Sequence, residues 1–496
     1  MSDEEKKDNG KEKDKDKEKK DKPEPKEITS VTQHSITLAG KKLDYTVTAG
    51  TMILREEVDK EGEKPKASFF YIAYTKKGEP NAAKRPITFS FNGGPGSSSV
   101  WLHLGLLGPK RVEMGDAGSL LPPPTKLVVN KHTLLEETDL VFIDPVSTGY
   151  SRAVEGEESR QFHGFDKDLE TVGDFIRLYT TRNNRWLSPK FLIGESYGTT
   201  RAAGLSGYLQ KRHGMYLNGI MLVSAILNFS TARFMPGNDW PYILFLPTYA
   251  ATAFYHKRLS ARLMKDLRKT LAEVEAFAVG EYATLMMKGD DLTAKEQTLL
   301  ADKLAEYTGL TADYIRSTNF RVDIFRFTKE LLRGERKVVG RLDSRFLGVD
   351  RDAAGEMWEN DPSMMAILGP YTATLYDYVR RELKFEVDLP YEILTGKVWP
   401  WSYEKQQNEF LNVAETLREA IAINPHLKVH VSNGYYDFAT PYFATDYTFK
   451  HMQLEEHLRA NISMDFYEAG HMMYVHMPSL AQQKKDLARF IKSALP

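Results

Sequence analysis

The sequence predicts a doubly wound α/β fold carrying an inserted helical cap, and three observations predict it. Six continuous apolar runs, at residues 87–92, 139–144, 190–194, 219–224, 427–433 and 462–468, are too uniformly hydrophobic for half-exposed strands. They suit a mostly parallel sheet covered on both faces. Between several of them lie stretches such as 165–182 and 201–213, with apolar residues at three- and four-residue spacing, so strands alternate with helices and the crossovers are right-handed. The third run ends in Gly194-Glu195-Ser196-Tyr197-Gly198 and leads directly into a helix, a strand-to-helix turn of the G-x-S-x-G type.

Taken in chain order, residues 1–26 are a charged leader with no large apolar residue, which predicts disorder. Its acidic and basic residues nearly cancel, and it lacks the hydrophobic stretch of a secretory signal. Residues 33–40, 42–50, 52–57 and 68–74 alternate with period two between Gly- and Lys-rich turns and read as an antiparallel meander. The core then occupies 27–226 and resumes at 401–496. From 227 to 400 the alternation stops, and the helical stretches 256–287, 293–307 and 362–383 define the cap.

Composition removes several chemistries. The 496 residues contain no cysteine, which excludes disulfides, thiolate metal sites and cysteine nucleophiles. Lys and Arg total 67 against 68 Asp and Glu, so no basic excess exists to hold nucleic acid. The most apolar segment, 240–255, contains Pro247 and is shorter than the roughly 18 residues of a membrane span. A soluble chain is expected, cytoplasmic by sequence, or periplasmic or secreted if a leader has been removed.

Glycines flanking Ser196 permit the sharp turn that lifts its hydroxyl clear of the sheet. A serine hydroxyl needs a base, and in this fold the acid and the histidine follow it along the chain. Asp437, just beyond the run 427–433, and His471, just beyond 462–468, both sit at carboxyl ends of strands, where open α/β sheets bind ligands. His476 and Asp446 are the weaker rivals, one entering the final helix and the other inside a helix-like run. His103, His163 and His256 read as packing or surface residues. Upstream, the glycine-rich Asn92-Gly93-Gly94-Pro95-Gly96 presents backbone N–H groups beside the nucleophile, and the N–H of Tyr197 completes an oxyanion hole. The loop lacks the Gly-Lys-Ser/Thr ending of a phosphate-binding loop.

Five blocks stand in order: Asn92–GGPGSSS with Leu107-Gly108-Pro109, Phe142–IDPVSTGYS, Gly194–ESYG, Asn433–GYYDFATP and Gly470-His471-Met472. Together they resemble the serine carboxypeptidases, peptidases of the α/β-hydrolase fold, with the cysteine-free chain closer to bacterial members. The resemblance implies a triad of Ser196, Asp437 and His471, an oxyanion hole of Gly94 and Tyr197, and binding of the substrate's free carboxylate by Asn92, Gly93 and Glu195. It places Trp101 at an aromatic pocket position and calls for no cofactor or metal; the partners are peptide substrates. Two departures stand out. Ser97 replaces a disulfide cysteine of secreted eukaryotic members, and Leu106 replaces the glutamate that pairs with the residue at Glu195. Glu195 is therefore expected to lack that partner, which leaves two arrangements: Glu195 with the amides of Asn92 and Gly93 suffices, or Arg111 or Arg201 reaches the substrate carboxylate. A proline-releasing aminopeptidase, an esterase or acyltransferase, and an inactive peptide-binding protein are the other readings the residues leave open. Side-chain preference and oligomeric state are not encoded in any motif.

Overall fold

The computed structural model describes residues 24–60, 62–79, 81–117 and 120–495. Residues 1–23 of the charged leader lie outside these. Just after them Glu24 pairs with Arg55, and Glu27 meets Arg182 at 2.7 Å.

Nine strands build the central sheet: β1 (Thr29–Leu38), β2 (Lys41–Val58), β3 (Gly62–Lys76), β4 (Ile87–Phe91), β5 (Asp139–Ile143), β6 (Lys190–Ser196), β7 (Gly219–Ala225), β8 (Lys428–Gly434) and β9 (Ile462–Tyr467). They lie in the order β1-β2-β3-β5-β4-β6-β7-β8-β9, with a short piece at Arg152–Ala153 against β3. From β5 to β9 every pairing is parallel, while β1, β2 and β3 pair antiparallel and β3 joins β5 antiparallel. The expected meander is present with one strand fewer. Gly50 and Thr51 are not a turn: Gly50 pairs with Thr29 on one side and Tyr71 on the other, so the two short expected strands are one long β2. A glycine inside a strand often marks close backbone approach and not a break.

The parallel strands divide their side chains between two helical layers, as the pleat requires. Leu192, Ile220 and Leu222 face α1 (Phe165–Arg182) and α2 (Tyr197–His213), packing with Phe175, Ile176 and Leu205. Phe191, Ile193, Met221 and Val223 face the other way, onto Leu487 and Ile491 of the C-terminal helix Met477–Ser493 and onto the buried π-helical turn Leu102–Leu107.

Between β7 and β8 the chain runs through mostly helical segments. The first, α3 (Trp240–Tyr255), is buried on nearly all sides, which accounts for its apolar sequence; Leu244, Tyr249 and Ala250 pack with Leu271, Leu300 and Phe327. Among the described residues no helix is long and apolar enough to cross a membrane. This helical core also takes in Tyr435, Phe438 and Tyr442 from just beyond β8, so the cap is packed directly onto a strand end of the sheet.

One buried ion pair ties α1 and α2 to the sheet. Arg201 Nε donates to Asp168 Oδ2 at 2.8 Å and Nη1 donates to the carbonyl of Asn92 at 2.7 Å, with both charged side chains no more than 2% exposed. Its guanidinium also stacks on the rings of Phe91 and Tyr197. Arg201→Met leaves Asp168 buried without its partner, and a loss of about 3–5 kcal/mol is expected in urea unfolding. The double replacement Asp168→Leu/Arg201→Met should recover most of that loss; a single variant as stable as the parent would disprove the role.

Candidate active site

At the end of β6 the backbone of Ser196 takes φ 60 and ψ −130 before α2 begins at Tyr197. A positive φ is costly for a residue with a side chain, and it is retained here because the turn packs with almost no clearance. A Cβ on Gly194 would come within 2.1 Å of the carbonyl oxygen of Gly198. This is the strained elbow the motif predicts, and Ser196 emerges half-buried in a cavity of about 500 Å³.

Asp437 and His471 arrive from the loops after β8 and β9. Asp437 is fully buried, and its Oδ1 accepts the N–H groups of Ala439 at 2.7 Å and Thr440 at 3.1 Å. Its Oδ2 accepts the hydroxyl of Thr440 at 2.8 Å and lies 2.7 Å from Nδ1 of His471. With Nδ1 committed to the carboxylate, Nε2 is the nitrogen left for proton exchange. Burial pulls the imidazole pKa down, but the charge and hydrogen bond of Asp437, with Glu195 adding to them, outweigh it and hold it above the ordinary histidine value. His471 lines the same cavity as Ser196.

The rivals lie elsewhere. His476 bonds Ser479 at the start of the last helix, and Asp446 forms an exposed pair with Lys450. His103, His163 and His256 bond Tyr74, Ser147 and the carbonyl of Ser344 respectively, each a satisfied packing residue.

Gly94, Tyr197, Asn92, Gly93, Glu195 and Trp101 all line this cavity. Asn92 is fixed from both ends of its amide: Oδ1 accepts the N–H of Leu102 at 3.1 Å and Nδ2 donates to Glu195 Oε1 at 2.9 Å. The indole of Trp101 donates to Ser97 Oγ at 2.8 Å and its ring packs on Tyr371. Ser97, at the position of the missing cysteine, thus serves the aromatic wall.

Glu195 lacks a neighbouring glutamate, as expected, but it has a different partner. Tyr474 donates its hydroxyl to Glu195 Oε2 at 2.6 Å. Leu106 is buried in the apolar core as expected, but its neighbour Gly105 makes room for the new partner: a Cβ there would lie 2.3 Å from the Tyr474 ring. Neither arginine candidate lines the cavity. Arg201 is occupied by Asp168 and Asn92, and Arg111 donates to the carbonyl of Val112. The donor comes from the chain three residues past His471, so a search beside Leu106 misses it; Gly105 next to Leu106 and the tyrosine in the His471 block were the available signals. Burial, opposed by His471, Tyr474 and Asn92, pushes the Glu195 carboxyl up to about 7.

Two further charged residues of the cavity carry no motif, Arg233 and Arg341, both from the segment between β7 and β8. Arg341 belongs to a strap that grips both loops of the site. The N–H of Phe438 donates to the carbonyl of Arg341 at 3.0 Å, and the N–H of His471 donates to the carbonyl of Leu342 at 2.6 Å. The next residue, Asp343, accepts the N–H of Gly470 at 3.1 Å.

Residues 57–478 match the family model for serine carboxypeptidases. The chain belongs to the serine carboxypeptidase family. Among curated relatives, the pheromone-processing carboxypeptidase KEX1 of Saccharomyces cerevisiae is 32% identical over 156 residues, which are 30% of this chain and 20% of that protein. Serine carboxypeptidase-like 45 of Arabidopsis thaliana is 28% identical over 180 residues, 34% of this chain and 36% of that protein. The aligned stretch therefore spans about a fifth to a third of the length of these relatives. A crystal structure of KEX1, described as a prohormone-processing carboxypeptidase, superposes with a TM-score of 0.55 at 15% identity over 90% of this chain and 91% of the other. At that identity it establishes the shared α/β-hydrolase fold.

Tyr474→Phe removes a donor that favours the ionised form of Glu195, so its titration midpoint should move above about 7. Difference infrared spectroscopy of the carboxyl band, assigned with Glu195→Gln, reads the shift; an unchanged or lower midpoint would show that the tyrosine does not act on this carboxyl.

Proposed function

We propose that this serine carboxypeptidase family member hydrolyses the last peptide bond of substrates with a free carboxyl end, through an acyl-enzyme on Ser196. The observation that carries the reading is the convergence of Ser196, His471 and the Asn92–Glu195 pair on one cavity, with Asp437 held behind the imidazole. His471 takes the proton from Ser196 Oγ as the oxygen attacks the scissile carbonyl, and returns it to the departing amine. Asp437, fixed by the two backbone N–H groups and by Thr440, holds the tautomer with the proton on Nδ1. The N–H groups of Gly94 and Tyr197 take the charge that develops on the carbonyl oxygen. Water then attacks the ester with His471 again as base, freeing Ser196.

The carboxylate of the departing residue goes to Asn92, Gly93 and Glu195. An ionised Glu195 would repel it, whereas a protonated one donates an O–H to it. Because burial holds this carboxyl up to about 7, it keeps its proton far above the ordinary glutamate range. Trp101 and the facing Tyr371 give that end of the cavity an aromatic wall.

Two measurements test the reading. Incubating unblocked and C-terminally amidated peptides, and following which end shortens by mass spectrometry, should show loss of single residues from free carboxyl ends; shortening from the amino end would refute it. Ser196→Ala should lower the rate by several orders of magnitude and abolish labelling by a fluorophosphonate, while the far-ultraviolet circular dichroism stays that of the parent.

The pH dependence has a worked sign. Below the raised pKa of His471 the base is protonated and activity falls on every substrate. Above about pH 7 Glu195 ionises, so kcat/KM should fall for a free-carboxyl peptide and not for an ester lacking that group. An identical alkaline limb for both would remove Glu195 from carboxylate recognition.

A further inference from the structure

Arg341 is a half-buried cation in the wall of the catalytic cavity, and no carboxylate pairs with it at ion-pairing distance among the described residues. The charges that act on it are those of Asp361, Asp437 and Arg233. Neither acid forms an ion pair with it. Asp437 spends its oxygens on Ala439, Thr440 and His471. Asp361 Oδ1 accepts three bonds: the backbone N–H of Arg341, and the N–H and hydroxyl of Ser363 at the start of the helix Pro362–Asp377. Arg233, the second cation, lays its guanidinium over the ring of Phe229 at 5.2 Å. Guanidinium groups in a partly dehydrated wall, without their own anions, are complementary to a carboxylate brought by a ligand.

Their position says which carboxylate. Asn92, which holds Glu195, follows β4 on one side of the strand that carries Ser196, whereas Phe229 and Arg233 follow β7, and Arg341 is bonded to the loop after β8, on the other side. The Glu195 end and the arginine end therefore flank Ser196 as separate parts of one cavity. The first is assigned above to the departing residue's terminal carboxylate. The second, walled by Phe229, Arg233, Arg341 and Thr440, is left for the residue that stays on the serine as the acyl group. The strap keeps Arg341 in register with the chemistry, since its own carbonyl and that of Leu342 are bonded to the loops that carry Asp437 and His471.

We propose that Arg341, with Arg233 beside it, determines specificity on the acyl side, selecting substrates with glutamate or aspartate as the penultimate residue. The inference rests on the carboxypeptidase reading for the direction in which the substrate lies. A bidentate carboxylate contact at this wall distinguishes glutamate from its isostere glutamine by charge alone.

The test is a series of N-acylated dipeptides ending in leucine, with glutamate, glutamine, leucine or lysine before it, read as kcat/KM. The parent enzyme should favour glutamate over glutamine by about tenfold or more, with lysine poorest. Arg341→Gln should bring the glutamate-to-glutamine ratio close to one. Because the bonds to the site loops come from backbone carbonyls, the replacement leaves them in place. Arg233→Gln, with a smaller drop in the ratio, is the second variant should the first not fold. A matching series of nitrophenyl esters of N-acyl glutamate and N-acyl glutamine probes the same wall with no terminal carboxylate. Esters that show the glutamate preference beside peptides left intact would overturn the carboxypeptidase reading and uphold the role of Arg341. Equal rates for glutamate and glutamine in the parent, or a preference unchanged in both variants, would overturn the inference; so would failure to hydrolyse any member of either series.

Discussion

The site depends on the strap at residues 340–344. An acid and a base at the ends of neighbouring strands β8 and β9 are close by topology, but their loops are long enough to drift apart. The strap removes that freedom by bonding Phe438, beside the acid, and His471 itself from adjacent carbonyls. It continues into Asp343, whose side chain accepts from Gly470 and is paired with Arg345 at 2.6 Å, while Arg345 donates to the carbonyl of Glu468. From the other side Ser224 donates to the carbonyl of His471. The base is thus clamped from the cap and from β7, and the segment that closes the cavity is the same one that sets the geometry of the proton transfer.

Proton balance in the cavity follows from crowding. Glu195, His471 and Asp437 lie close together, so that both negative charges favour the imidazolium and the charge of Asp437 disfavours ionisation of Glu195. Asp437 collects four donors and Glu195 two, and burial raises the Glu195 carboxyl to about 7. A tyrosine partner differs in kind from a glutamate partner. It donates a proton it does not release in the working range, since burial holds Tyr474 far above the ordinary phenol value, and so Glu195 shares no proton with it. A shared proton between two carboxyls would instead give a pair of linked steps.

Much of this was legible in the residues. The buried strands announced themselves by uninterrupted hydrophobicity, and α1 runs over the stretch that periodicity marks. Ser196, Asp437 and His471 could be named because each sits in a short block at a strand end. What the sequence hid are relations between distant segments. Tyr474 could not be matched to Glu195 without knowing that Gly105 leaves room for its ring. Arg341 lies in no motif, and its importance comes from which carbonyls its neighbours bond. The continuity of β2 was hidden for a local reason, because Gly50 carries the ordinary mark of a turn while pairing on both sides.

The discontinuity of the core has a consequence for when such an enzyme becomes dangerous to its surroundings. The nucleophile lies before the cap, the acid and base lie after it, and the strap that aligns them lies within it. No contiguous fragment short of nearly the whole core therefore holds a working centre, and the contacts that build one span hundreds of positions, which are the slowest to form. On the carboxypeptidase reading, a chain emerging during synthesis cannot assemble this centre until its last strand has joined the sheet, a latency that comes from topology alone.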